Sequence, residues 1–402
     1  MGSFTSFAVF LYSAIALIVP SGFSVGAILL SLGSFTLVNK RIRSTLSRED
    51  RLLIAVLVIY FVVTVAMHLF HHESLKEYDL PLRFLLAAMA LLLLRAYPPS
   101  PASFWSGLIL GGIGSGLFAG WQYFSHNLRA TGYTNAIQYG DISFIIGILC
   151  LTGLTWALQQ RAVRIWLPLL IVGGVMGLLG SLFTGSRGSW VGLPACLLIL
   201  CVYYSRSIQP RYVWGGLAAL IAAIVLVFTV LPSSDYRARV TLAFSEAMTY
   251  MHKKDADTSI GTRMEMWRTG AMAAAESPWL GMGKAGFVAW ESKQIEAGKV
   301  NPLMSGNNHV YNEWLDALVK RGIPGLLVLL ALYFVPLRLF IAHLKSASEQ
   351  ARPYAVGGIL LIVNFIGFGF SQVFMAHNSG VMSLGFTMVI LWGLLRGQKE
   401  AN

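Results

Sequence analysis

Long apolar segments recur along almost the whole chain, and each is long enough to cross a bilayer as a helix. A hydrocarbon layer of about 30 Å needs roughly 20 helical residues, and lipid offers the backbone no alternative hydrogen-bond partners. Charged or Pro/Gly-rich breaks separate twelve such segments, at 5–20, 22–38, 51–69, 81–97, 103–121, 140–158, 163–183, 189–205, 211–231, 322–342, 354–371 and 377–396. The pattern predicts an all-α polytopic membrane protein with about twelve transmembrane helices.

The composition agrees with a membrane protein and excludes an ordinary soluble domain. Of the 402 residues, 56% are hydrophobic and only 12% are charged, whereas soluble domains carry about a quarter charged residues. The first residues, MGSFTSF, have no basic region, so the first segment is expected to be a retained span rather than a cleaved signal peptide.

The basic residues of the short loops predict the orientation. Twelve spans place both termini on one side, and the loops of that side carry Lys40, Arg41, Arg43, Arg48, Arg51, Arg95, Arg161, Arg164, Arg206, Arg211, Lys345, Arg352, Arg396 and Lys399. The opposite short loops carry only Lys76, Arg83, Arg129 and Arg187. Since short cytoplasmic loops are enriched in Lys and Arg, the termini are expected to be cytoplasmic.

One connection is far longer than the others and divides the chain into three regions. Residues 1–231 hold spans one to nine, residues 232–321 form a large outer loop, and residues 322–402 hold spans ten to twelve with a short cytoplasmic tail. A structureless loop of that length would be unusual, so we expect it to contain short helices. Its excess of basic residues suggests an anionic ligand.

Two outer segments each present an arginine that suits a phosphate ligand. Arg187 lies in the glycine-flanked turn TGSRGSW, and Arg263 begins the helical stretch GTRMEMWRTG, where Thr262 could cap a helix ending near Pro278. A guanidinium binds phosphate through two parallel hydrogen bonds and stays charged in a partly dry site. Binding of lipid headgroups is an equally good explanation for Arg263. Arg129, in a nearby outer loop, could face the same cavity as Arg187.

The stretch NNHVYNEWLDALVKRGIPG places a histidine just before span ten. Helical spacing puts His309 on one side with Glu313, Asp316 and Lys320. With Asn307 or Asn308 as the cap, His309 would lie in the first turn, where the helix dipole favours the neutral imidazole that a general base requires. Gly322 and Pro324 are expected to stop or redirect this helix. A lone histidine at a helix start is more often structural than catalytic.

Other polar clusters carry weaker signals. Asp255 and Asp257 have the DxD spacing of metal-dependent glycosyltransferases, but a solvated loop explains them better. His68, His71 and His72, with Glu73 beside them, lack what would complete a metal site. The segment GMGKAGF resembles a phosphate-binding loop only superficially, and we interpret it as a turn.

Three of these segments together resemble a known family. TGSRGSW, GTRMEMWRTGAMAAAESPWLGMGKAGF and HVYNEWLDALVKRGIPGLL follow in that order around a large outer loop, and NAIQYG resembles the family's upstream segment. This arrangement is similar to the lipopolysaccharide O-antigen ligases, within the O-antigen ligase and polymerase superfamily. The resemblance covers roughly residues 130–330. The family usually has a histidine-asparagine pair where this chain has Tyr311-Asn312, with His309 two residues earlier.

The resemblance implies a multi-pass glycosyltransferase of GT-C type in the bacterial inner membrane, with a periplasmic active site and neither a metal nor another cofactor. Its donor would be O-antigen glycan on undecaprenyl diphosphate, and its acceptor a sugar hydroxyl of lipid A-core. Its surroundings would be membrane lipids, with no nucleic acid involved. Carried over to this chain, Arg187 and Arg263 would bind the diphosphate and His309 would be the catalytic base in an inverting transfer. Further candidates for substrate binding are Arg129, Arg268, Tyr311 and Asn312.

Two other functions remain open from the sequence. An O-antigen polymerase, or another ligase for lipid-linked oligosaccharides, would use the same donor with a different acceptor. A transporter or flippase of lipid-linked sugar belongs to another class, and such proteins tend to keep ionisable residues or broken helices near the bilayer midplane. The central portions of these spans are almost free of charge, which favours an enzyme acting at the interface.

Overall fold

The structure is a computed structural model, and it describes residues 1–36, 46–126, 129–186, 188–205, 215, 257–346 and 348–400. Within these residues the secondary structure is helical and contains no strand. The helices are α1 Gly2–Ala14, α2 Gly22–Ser34, α3 Arg48–Phe70, α4 Asp79–Ala96, α5 Pro101–His126, α6 Ala136–Thr152, α7 Leu154–Leu158, α8 Val163–Phe183, α9 Gly188–Val191, α10 Leu193–Tyr204, α11 Ser259–Glu276, α12 Gly283–Glu296, α13 Glu313–Ser346, α14 Arg352–Phe368 and α15 Asn378–Glu400. Short 3₁₀ turns lie at Leu75–Tyr78, Pro302–Met304 and Phe374–Ala376.

Six of the described helical segments are long and apolar enough to cross a membrane. They are Arg48–Phe70, Pro101–Ser125, Ala136–Leu158, Val163–Phe183, Glu313–Lys345 and Asn378–Gln398. Three shorter apolar helices are Gly22–Ser34, Leu193–Tyr204 and Arg352–Phe368. The predicted all-α, multi-pass membrane fold is therefore confirmed. Apart from residue 215, the predicted span at 211–231 lies outside the described residues.

The chain divides into two compact units. The first comprises Met1–Ala66, Ser74–Cys196 and Val328–Asn402, and the second comprises Met67–Glu73 and Leu197–Leu327. The second unit contains α11, α12 and the first turns of α13, the part of the chain that carries Arg263 and His309.

Glycines bring α5, α6 and α8 of the first unit into close backbone contact. A Cβ added at Gly173 would lie 3.0 Å from the Cα of Ile109, and one at Gly177 would lie 2.8 Å from the Cα of Gly147. Small residues allow such approach where lipid provides no hydrophobic drive for helix association. The Ser143 hydroxyl adds a hydrogen bond to the Gly177 carbonyl at 2.7 Å.

Charged side chains, of which Asp50 is fully buried, join other helices of the first unit at their ends. Asp50, at the start of α3, is fully buried and accepts hydrogen bonds from Trp392 Nε1 at 2.8 Å and from Arg95 Nε at 3.2 Å. Glu49 contacts His343 Nε2 at 3.2 Å and Arg396 Nη1 at 3.0 Å. Because a buried charge is costly unless it is paired, these contacts link α3, α4, α13 and α15 at defined positions.

The second unit is held together by a small apolar core and by contacts to the end of α3. Buried side chains of α11, α12, the loop before α13 and the first turns of α13 pack together, namely Ala273, Ala274, Phe287, Val310 and Val319. At the end of α3, His71 Nε2 lies 2.9 Å from the Leu280 carbonyl oxygen, and the carboxylate of Glu73 accepts a hydrogen bond from the Lys284 amide. These contacts fix the turn between α11 and α12 against the end of a membrane-spanning helix.

Candidate active site

The helix after His309 begins four residues later than the sequence suggested. Asn312 caps it, since its side-chain oxygen accepts a hydrogen bond from the Leu315 amide at 3.1 Å, and α13 starts at Glu313. The predicted cap at Asn307 or Asn308 is therefore wrong. His309 lies in the preceding loop rather than in the first turn, so the helix-dipole argument for its neutral form does not apply.

Gly322 ends the first part of α13, as predicted. Its φ of 61° and ψ of −162° interrupt the helical backbone, a conformation that only glycine adopts readily. The Ile323 amide, which follows the kink, donates to the Pro278 carbonyl at 2.9 Å. The kink separates the polar stretch 313–321 from the apolar stretch after Gly322. Only the apolar stretch corresponds to the predicted membrane span.

His309 is held at one ring nitrogen by a buried ion pair. Nδ1 lies 2.7 Å from Lys320 Nζ and 3.4 Å from Asp316 Oδ1, and these two charged groups are 2.8 Å apart. Asp316 also accepts a hydrogen bond from the Val310 amide at 3.3 Å, which folds the loop over the first turns of α13. The His309 side chain retains 28% of its exposure, while Asp316 and Lys320 are buried.

Burial and neighbouring charges act on the ionisation of this pair. Burial alone would raise the pKa of Asp316, but the positive charge of Lys320 and further interactions with His309 and Lys320 outweigh it, so the pKa lies well below its usual value. Burial lowers the pKa of Lys320, and Arg321 and Lys284 lower it further against the opposing effect of Asp316. The carboxylate is therefore ionised at neutral pH, and the lysine loses its proton more readily than an ordinary lysine.

Arg263 lies on α11, one turn before a tryptophan that contacts the His309 loop. Thr258, not Thr262, caps this helix, because its hydroxyl oxygen accepts a hydrogen bond from the Gly261 amide at 3.0 Å. The helix ends at Glu276, close to the predicted end at Pro278. Trp267 Nε1 donates to the Tyr311 carbonyl at 3.3 Å. Arg263 and Trp267 are four residues apart and therefore share a helical face. Arg263 thus lies on the face of α11 that contacts the loop containing His309.

Three further sequence candidates in the second unit already make structural contacts. Arg268 binds both carboxylate oxygens of Glu265, at 2.6 and 2.9 Å, and donates to the Lys299 carbonyl at 2.8 Å. Asn312 caps α13, and Tyr311 adopts a positive φ of 49° and packs against a second buried cluster around Met266. These residues support the loop and α11, and their predicted role in substrate binding stays a prediction.

The remaining sequence candidates belong to the first unit. Arg129 Nε donates to the Thr184 carbonyl at 2.8 Å, which ties it to the turn that leads to Arg187. Arg187 itself lies outside the described residues. The residues on either side of it are held by Asp141 of α6, whose buried carboxylate accepts hydrogen bonds from the hydroxyls of Ser186, at 3.4 Å, and Ser189.

The weaker clusters have simpler explanations where the structure describes them. In GMGKAGF, the Lys284 amide at the start of α12 donates a hydrogen bond to the Glu73 carboxylate. A carboxylate of the protein itself therefore lies where a phosphate-binding loop would hold its ligand. His71 contacts the Leu280 carbonyl. Asp255 of the DxD spacing lies outside the described residues.

Sequence reasoning missed the importance of Asp141, Asp316 and Lys320. Asp141 follows directly after the segment NAIQYG and is a carboxylate within an apolar helix, a signal that usually marks a functional or structural polar contact. Asp316 and Lys320 have the i, i+4 spacing of an ion pair on one helix face. Their contact with His309 depends on how the loop folds back, which spacing cannot show.

Comparisons with known proteins match the part of the chain that carries these candidates. The family model described as O-antigen ligase matches residues 173–330, a range that includes Arg187, Arg263 and His309. The chain is 27% identical over 374 residues to an uncharacterised protein of Haemophilus influenzae, covering 90% of this chain and 91% of that protein. It is 25% identical over 192 residues to a protein of Escherichia coli named O-antigen ligase, covering 44% of this chain and 40% of that protein. The part of the chain that carries these candidates thus matches the O-antigen ligase family, and the resemblance to the O-antigen ligase superfamily is confirmed.

Proposed function

We propose that this protein transfers O-antigen glycan from undecaprenyl diphosphate to a sugar hydroxyl of lipid A-core at the periplasmic face of the bacterial inner membrane. The observation that carries the proposal is His309, held by a buried carboxylate and ammonium within the matched O-antigen ligase region. A partly exposed imidazole fixed by buried charges is the arrangement expected of a group that handles protons, because its orientation is set before substrate binds.

In this mechanism the acceptor hydroxyl attacks the anomeric carbon of the donor sugar. The bond from that carbon to the diphosphate oxygen breaks, the new glycosidic bond forms with inversion, and His309 takes the hydroxyl proton. Asp316, 3.4 Å from Nδ1, balances the positive charge that the ring gains. The leaving diphosphate accumulates negative charge, and we assign its stabilisation to Arg187 and Arg263.

The decisive experiment replaces His309 with alanine. Membranes containing the variant are incubated with lipid-linked O-antigen and lipid A-core, and core-linked product is measured. We expect loss of product by at least a hundredfold, the lower part of the range for removal of an acid-base catalyst. The matched control is Asn308→Ala, an exposed polar neighbour in the same loop. Full transfer by the His309 variant, at an equal amount of protein in the membrane, would contradict the proposal.

The same assay separates the alternatives. A polymerase would extend the lipid-linked glycan when lipid A-core is left out, and would form no core-linked product when it is present. A transporter would form no new glycosidic bond with either mixture. Formation of core-linked product that depends on both substrates supports the ligase.

A further inference from the structure

The contacts of His309 Nδ1 carry information about where the ring holds its proton. Lys320 Nζ is 2.7 Å away and Asp316 Oδ1 is 3.4 Å away. Hydrogen bonds between nitrogen and nitrogen or oxygen are normally 2.7 to about 3.2 Å long. The shorter contact is therefore the one with the lysine, and the carboxylate makes a longer, second contact with the same nitrogen.

The donor in that short contact is the lysine. Lys320 is also 2.8 Å from Asp316, whose carboxylate is ionised, and both side chains are buried. A buried carboxylate at this distance requires a positive partner, and an ammonium group can donate hydrogen bonds but cannot accept one. Nδ1 must then be the acceptor. A neutral imidazole whose Nδ1 accepts a hydrogen bond carries its single proton on Nε2.

We infer that Lys320 holds the resting imidazole of His309 in the Nε2–H tautomer, and that the ring can take a proton through Nε2 only after Lys320 has left Nδ1. The second half of this inference rests on the proposed function. When Lys320 leaves, solvent removes the proton from Nε2 and supplies one to Nδ1, and the new Nδ1–H group donates a hydrogen bond to the Asp316 carboxylate. The protonation of the site does not change in total, but Nε2 becomes an acceptor.

Charged neighbours of Lys320 make its contact with His309 Nδ1 sensitive to the protonation and position of the lysine. Asp316 attracts the ammonium, while Arg321 on the same helix and Lys284 at the start of α12 repel it. Lys320 is thus a positioning residue that keeps His309 inactive as a base until its own proton or position changes.

The inference is tested by nitrogen NMR of the full chain in lipid nanodiscs with ¹⁵N-labelled histidine. The signal of His309 among the eight histidines is assigned by its loss in His309→Gln. We expect the wild type at neutral pH to show the Nε2–H form. A wild-type signal of the Nδ1–H form would overturn the inference directly, without need of any variant.

Three variants test the role of the lysine itself. Lys320→Met, made with Asp316→Asn to avoid an unpaired buried carboxylate, should lose the preference for Nε2–H. While the ring is neutral, Lys320→Arg should retain this preference as pH rises, because arginine stays protonated. The wild type should shift towards Nδ1–H as pH rises, at a lower pH than an ordinary lysine would require. Lys284→Met is the matched control, since it removes a positive charge that repels Lys320, and it should keep the wild-type tautomer. Retention of the Nε2–H preference in the methionine variant would overturn the inference.

These measurements are independent of the transfer assay. If His309→Ala remains active while the wild-type ring is in the Nε2–H form, the proposed function fails and the tautomer assignment stands. If His309 is essential and its resting form is Nδ1–H, the function stands and the role of Lys320 falls.

Discussion

The carboxyl group of Glu291 illustrates how a single buried residue makes stability depend on pH. Its side chain is 2% exposed, and its Oε2 has no hydrogen-bond partner among the described residues. Burial raises the pKa of Glu291 to about 7. The folded state therefore binds the Glu291 proton more tightly than the unfolded chain does. The stability of the fold that depends on this proton is fully present below the unfolded pKa of about 4.5, and it is lost as pH rises through about 7.

Glu291→Gln should remove this dependence, because glutamine cannot ionise. We expect the variant to gain stability relative to the wild type between pH 5 and pH 8, by on the order of 3 kcal/mol at most. Thermal unfolding of the purified protein at both pH values measures the change. Glu296 is an exposed residue at the end of the same helix. The control variant Glu296→Gln should differ from the wild type in unfolding temperature by the same amount at both pH values. An equal effect of the two variants would contradict the burial argument.

The sequence was enough to propose the candidate residues of the site, but it did not show the contacts between them. His309 could be proposed because it lies in a polar stretch just before a predicted span, and Arg263 because it lies in a basic loop. The contact that defines the site, Lys320 with His309, arises because the Val310 amide folds the loop onto Asp316. Residue spacing in the sequence does not show how this loop folds back onto the helix.

Among the elements, α13 is the one whose shape depends most on a single backbone position. Gly322, which has a positive φ, packs against the turn between α11 and α12. A Cβ added to Gly322 would overlap the Trp279 carbonyl. The neighbouring Gly281 is similarly tight, since its added Cβ would lie 2.6 Å from the Arg321 amide nitrogen. The two segments that hold Lys320 and Lys284 therefore meet through backbone atoms.

Gly322→Ala should destabilise the second unit through both strain and overlap. The strained backbone alone costs about 1–3 kcal/mol, and the overlap adds to it. Gly298→Ala is the control, because Gly298 also has a positive φ, of 65°, but has open space around its Cβ position. Unfolding in detergent should occur at a clearly lower temperature for Gly322→Ala than for Gly298→Ala. Equal shifts would mean that the contact with Trp279 contributes nothing.

The positions of the helices followed from sequence more reliably than their ends. The kink at Gly322 was predictable because Gly and Pro together interrupt a helix, and the end of α11 was predictable from Pro278. Both predicted caps were wrong, since Thr258 and Asn312 serve instead. Several Ser, Thr and Asn residues near each start can cap a helix, and tertiary contacts decide which of them does.

For the whole molecule, the orientation in the membrane remains a prediction from the distribution of Lys and Arg. Cysteine labelling tests it, with Lys299→Cys for the large loop and Arg48→Cys for a predicted cytoplasmic loop, both at exposed positions. In intact cells an impermeant maleimide should label the first variant, and should label the second only after permeabilisation. Cys201→Ser provides the background, because Cys150 and Cys196 are buried. The reverse labelling pattern would contradict the predicted orientation.

The fold class was predictable because lipid leaves the backbone so few choices. Eleven of the twelve predicted spans overlap described helices, since any long apolar segment in a bilayer must form its hydrogen bonds internally. Hydropathy did not predict the break between α6 and α7 at Gly153, or that between α9 and α10 at Gly192. An added Cβ at Gly153 would lie 2.8 Å from the Trp105 ring, a close contact that mean hydropathy does not report.

The close approach of α5, α6 and α8 also limits where a lipid substrate can travel. Their backbones meet so tightly at Gly147, Gly173 and Gly177 that a single added methyl group would crowd the neighbouring helix. An isoprenoid or acyl tail is much thicker than a methyl group, so neither can pass between these three helices or be stored there. In the transfer we propose, the hydrophobic tails of the donor and the acceptor are therefore expected to travel along other surfaces of the protein.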